Sequence, residues 1–74
     1  MRKFEVGKYY TPATTPSIEP LKCVSNTNCY VTFYDSEKGE NIKVKKEKGA
    51  VYSGDVLEFE QCNAYGYLLR AIDD

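Results

Sequence analysis

Residues 29–35 read Cys-Tyr-Val-Thr-Phe-Tyr-Asp, and residues 40–47 read Glu-Asn-Ile-Lys-Val-Lys-Lys-Glu. In both runs apolar and polar positions alternate, which is the period of a half-buried strand. The four residues between them, Ser36-Glu37-Lys38-Gly39, end in a glycine able to adopt the positive φ that hairpin loops need. A four-residue loop pairs Asp35 with Glu40. Phe33 then faces Ile42 and Val31 faces Val44, which makes one side of the hairpin apolar and fixes the register. The other side follows by parity: Tyr30 opposite Lys45, Thr32 opposite Lys43, Tyr34 opposite Asn41.

Shorter alternations predict the remaining elements. Residues 3–6 read as a short strand that places Phe4 and Val6 on one side. Gly7-Lys8 bends the chain, and Tyr9-Tyr10 extends the pairing. Residues 21–25 form a second strand, ended by the turn Asn26-Thr27-Asn28. After the central hairpin, Lys48-Gly49 reads as a turn, 50–53 as a short strand and Gly54-Asp55 as another turn. Over 56–62 two patterns compete. Leu57 and Phe59 alternate with Glu58 and Glu60 as in a strand, while Asp55 with Glu58 resembles a capping box that would open a short helical turn. The strand is preferred because Val and Phe suit sheets. Residues 65–72 read as a closing strand. The segment 11–20 holds all three prolines, which excludes a central strand or a helix interior, and reads as a long surface loop. It is the second candidate for a binding element, since loops on a rigid scaffold often carry function.

Five or six short antiparallel strands joined by turns predict an all-β fold, a small barrel whose closure removes exposed sheet edges. An SH3-like barrel is expected ahead of an oligonucleotide-binding-type barrel, which is usually longer. At 74 residues the chain has room for a single domain spanning 1–74. Seven tyrosines and no tryptophan agree with β structure.

The chain has no histidine. That removes the commonest neutral-pH base and the usual partner of a nucleophilic serine or cysteine. Three cysteines fall one short of an all-thiolate zinc site, so no metal and no cofactor are expected. Cys23, Cys29 and Cys62 read as buried structural thiols. Glu58 and Glu60, two apart on one strand face, read as ordinary solvated carboxylates rather than a catalytic pair. The five glycines are scattered singly at expected turns and build no phosphate loop. A non-enzyme is therefore expected. No apolar run reaches the roughly 18 residues of a membrane span, and the amino terminus lacks the apolar stretch of a secretory signal. A cytoplasmic protein with reduced thiols is expected.

The candidate binding residues are Tyr30, Thr32, Tyr34, Lys43 and Lys45, the outer side of the central hairpin. Exposed tyrosines suit a protein partner. Aromatic rings beside cations also suit single-stranded nucleic acid. With a net charge of -1, a protein partner is expected first and nucleic acid second. A subunit of a larger assembly is a further alternative. The run Phe4-Glu5-Val6-Gly7-Lys8-Tyr9-Tyr10, the pairs around Val31-Thr32-Phe33 and Ile42-Lys43-Val44, and Tyr65-Gly66-Tyr67 resemble small SH3-like barrel proteins encoded by bacterial phages and mobile elements. That resemblance implies a non-catalytic accessory or modulator protein that binds another protein, and it carries over no site residues.

Overall fold

Alternating burial organises the chain into six strands. They are β1 (Tyr9–Tyr10), β2 (Leu21–Asn26), β3 (Tyr30–Asp35), β4 (Glu40–Ser53), β5 (Asp55–Ala64) and β6 (Tyr67–Arg70). The computed structural model describes the backbone of residues 2–12, 19–53 and 55–72, and the side chains of these residues except 50–57. Neighbouring strands pair antiparallel in the order β1-β2-β3-β4-β5-β6, and the sheet curls into a nearly closed, SH3-like barrel. Among the described residues there is no helix. The segment 56–62 belongs to β5, so the strand reading holds there and the helical turn does not form.

The central hairpin has the predicted register at every position, from Asp35↔Glu40 to Tyr30↔Lys45. Its loop closes with Gly39 at φ 66°. Phe33 and Val31 are fully buried, and Ile42 and Val44 pack against the same core. Phe4, Tyr10 and Phe33 meet edge to face, with centroids 4.9 to 6.1 Å apart. Such contacts add about 0.5–1.5 kcal/mol each beyond area burial. The Tyr10 hydroxyl accepts a 2.9 Å bond from the Glu5 amide, which gives the buried phenol a partner.

Three expectations are corrected. Residues 3–6 do not form a strand. The Lys8 amide instead bonds the Glu5 carbonyl in a turn, with Gly7 at φ 95°, and Val6 is left exposed. A positive φ at the third residue of a turn favours glycine, so local turn chemistry overrides the short alternation. Phe4 still reaches the core, while Arg2 alone bridges in parallel to Phe59.

Lys48-Gly49 is not a turn either. β4 runs unbroken, pairing with β3 up to Lys45 and with β5 from Lys46 onward. Gly49 lies directly opposite Phe59, and a Cβ there would come within 2.4 Å of the ring carbon Cε2. This glycine admits an aromatic ring across a strand pair and does not turn the chain. The expected turn at Gly54 and the tip of the proline-rich loop at 13–18 lie outside the described residues.

The closing strand is also shorter than expected. Tyr65 (φ 54°) and Gly66 (φ 80°) form a two-residue hairpin turn, and only 67–70 pair with β5. Two positive φ values in succession match the twist of the flanking strands. Tyr65 is held there by a hydrogen bond to Asp35 and by Lys38, whose Nζ lies 4.3 Å from the ring centroid. Desolvation and the Asp35 carboxylate push its phenol up to about 12.

Candidate functional site

The outer side of β3 and β4 carries the side chains that parity assigned to it. Tyr30 and Tyr34 are exposed, Lys43 and Lys45 are exposed, and Thr32 is half-buried between them. Lys43 Nζ sits 4.8 Å from the centroid of Tyr30, a diagonal cation–π contact across the two strands. Part of the face is therefore self-paired, with the lysine covering one ring.

The barrel extends this face in a way that the hairpin alone does not. Tyr9 pairs with Lys22, Lys22 with Tyr34, and Tyr34 with Asn41. These four residues form one row across β1, β2, β3 and β4. Tyr9 keeps 63% of its surface and Tyr34 keeps 39%. Two strand spacings place the Tyr9 and Tyr34 positions about 10 Å apart, with Lys22 between them. Tyr30 lies about 13 Å from Tyr34 along β3. From Tyr9 to Lys45 the outward positions of the paired strands hold three lysines and, among the described residues, no carboxylate. Glu47 is the first acid met outward along β4. Sequence reasoning missed Tyr9 and Lys22 because their place depends on how β1 and β2 dock.

A second polar constellation lies at the end of the barrel and was not anticipated. Lys46 Nζ donates to Glu60 Oε2 and to Asn26 Oδ1, both at 2.7 Å. Asn26 Nδ2 donates to the Phe4 carbonyl at 2.7 Å and to Glu60 Oε1 at 3.0 Å. The Phe4 amide completes the set by donating to Glu60 Oε1 at 3.0 Å. A lysine can only donate, so the amide oxygen of Asn26 must face it and the nitrogen must face the two acceptors. The Lys46 and Glu60 side chains keep only 9% and 8% of their surface.

Three features of the chain build this network. Lys46 continues the inward parity of Ile42 and Val44, and that inward lysine was the one signal legible in sequence. Glu60 shares the inward side of β5 with Cys62, so it is not the solvated carboxylate expected; Glu58 is exposed and pairs with Lys48 at 3.0 Å. Asn26 points inward only because β2 carries a bulge between Cys23 and Ser25, which shifts the register and sets Asn26 opposite buried Val31.

An open pocket of about 260 Å³ adjoins the network, lined by Lys3, Asn26, Thr27, Asn28, Lys46 and Glu60. Of its charged groups, Lys46 and Glu60 are already bonded to one another. Burial alone would raise the Glu60 pKa, but the bonds from Lys46, Asn26 and the Phe4 amide outweigh it and hold the carboxyl below its usual range. A carboxylate so well solvated by donors is a weak base, and its bonds tie β2, β4 and β5 to the segment around Phe4.

A group whose folded pKa is depressed stabilises the fold above its unfolded value, and that stability is lost as pH falls through the folded value. The urea midpoint is therefore expected to hold from pH 7 down to about 5 and to fall below about pH 4.3, the unfolded glutamate value. Asp35 adds to the same limb: burial would raise its pKa, yet bonds from Tyr65 and the Lys38 and Glu37 amides hold it down. Glu60→Gln should flatten the acid limb, and an unchanged slope in that variant would remove Glu60 from the account.

The thiols need one correction. Cys23 and Cys62 are fully buried, but Cys29 is exposed at the entry to β3. Burial pushes the Cys62 thiol up to about 12 and raises that of Cys23. All three are free. An aromatic disulfide reagent is thus expected to react promptly with one thiol in the native protein and with three after denaturation. Two prompt equivalents would contradict the burial of Cys23 or Cys62.

Comparison with protein-family models, with curated proteins and with solved structures returned no match to this chain.

Proposed function

We propose that this chain is a non-catalytic binding module that meets its partner through the outer face of β1 to β4. The observation that carries the reading is the row Tyr9-Lys22-Tyr34-Asn41 beside Tyr30 and Lys45, rings and cations alternating on a rigid, exposed sheet. Tyrosine supplies large contact area at low entropic cost, and exposed rings grouped on one face differ from singly scattered apolar residues. The polar pocket offers less, because its buried groups satisfy each other. This reading suits a small accessory or modulator protein, the role that its resemblance to phage-encoded barrels implies.

Replacing Tyr30 and Tyr34 together by serine tests it. The substitutions lie outside the core, so the pair should cost only about 1 kcal/mol, including the lost Lys43 contact. The double variant should fold and yet lose the partners that the immobilised parent retains from a cell extract, with and without nuclease treatment. A folded variant that keeps every partner would turn attention to the loop at 11–20.

A further inference from the structure

Resting on that reading of the face, we infer that its partner is a single-stranded nucleic acid. The net charge of the chain conceals how its charges are sorted. Of the acids, Glu60 and Asp35 are buried, while Glu5 and Glu58 are paired with Lys8 and Lys48. Lys22, Lys43 and Lys45 stand together on the outer face with no acid among them in the described residues. Protein interfaces are depleted in lysine, above all at their centres, yet here Lys22 sits between two tyrosines at the middle of the row. A polyanion fits that arrangement. The rings select among polyanions: a base can stack on Tyr9 or Tyr34 only when it is unpaired, while lysines between the rings meet the phosphates. The row lies across the surface of the sheet and not on a helix or ribbon projecting from it, so a duplex groove is the poorer fit. Lysines act as point charges without bidentate base contacts, so the mode is tolerant of sequence.

The test is fluorescence anisotropy with a labelled oligothymidylate of about 15 nucleotides. A duplex of equal length and polyglutamate serve as competitors. Three lysine–phosphate contacts predict a slope of log affinity against log salt of about −2, or an affinity about 20-fold weaker at 200 mM than at 50 mM salt. The variant carrying Lys22→Gln, Lys43→Gln and Lys45→Gln should bring that slope near zero. Tyr34→Ser should weaken binding about 5- to 150-fold while leaving the slope intact. Urea midpoints confirm that each variant is folded.

No binding of oligothymidylate by the parent at 50 mM salt overturns the inference. So does binding that the lysine and tyrosine substitutions leave unchanged, or that polyglutamate or duplex abolishes as well as the single strand does. If oligothymidylate fails while the Tyr30→Ser, Tyr34→Ser protein still loses a nuclease-resistant partner of the parent, the face stands as a protein interface and only the nucleic-acid assignment falls.

Discussion

Lys46→Met is expected to lower the melting temperature by about 12 °C or more, enough to leave the domain largely unfolded if its margin is small. Removing one partner of a buried ion pair costs about 3–5 kcal/mol because the other charge stays buried without compensation. A 74-residue domain has a total stability of about 4–11 kcal/mol, and each kcal/mol shifts the midpoint by about 4–8 °C. Here Glu60 would retain only the Phe4 amide and Asn26, and Asn26 Oδ1 would lose its donor. The companion variant Lys46→Met with Glu60→Leu removes both charges and should recover part of the loss. Recovery stays incomplete because the Phe4 amide is then orphaned, at about 1–3 kcal/mol. Thermal unfolding of the three proteins decides the matter. A Lys46→Met midpoint within a few degrees of the parent would mean that the pair is not the buried tie described.

Gly49→Val should give the second-largest loss, about 3 kcal/mol or a fall of about 12–24 °C. The new Cβ would meet Phe59 Cε2 at 2.4 Å and Gln61 Oε1 at 2.7 Å, so the ring must leave its place over the glycine. Phe59 is 3% exposed and stands apart from the main core cluster, so the ring has no ready alternative site. The cause can be isolated with a double-mutant cycle: Phe59→Leu should be destabilising by itself, yet Gly49→Val should cost far less in its presence. Additive effects would show that the valine fails for some reason other than this contact.

The partners that make both sites, Glu60 for Lys46 and Phe59 for Gly49, were absent from the local pattern, and the difference between what was legible and what was not follows chain distance. Strand parity and one turn are local properties. Val31, Phe33, Ile42 and Val44 had to share a side once Gly39 closed a four-residue loop, so the register and the outward Tyr30, Thr32, Tyr34, Lys43 and Lys45 were determined by sequence. The all-β barrel followed from the same alternation repeated along the chain.

The rest was settled by closure of the barrel. Glu60 meets Phe4 across 56 positions of sequence, and Asn26 reaches it across 34, contacts that no window of alternation contains. The β2 bulge turns Asn26 inward by placing an extra residue between Cys23 and Ser25, an irregularity that shows only once β2 is paired with β3. Continuity of β4 through Gly49 depends on Phe59 lying opposite, since a glycine alone reads equally as turn or as clearance for a ring. Likewise, Tyr9 and Lys22 join Tyr34 in one row only when three strands pair side by side. Side-chain parity within a strand is fixed by backbone geometry, whereas which strands become neighbours is fixed by burying all the inward faces at once.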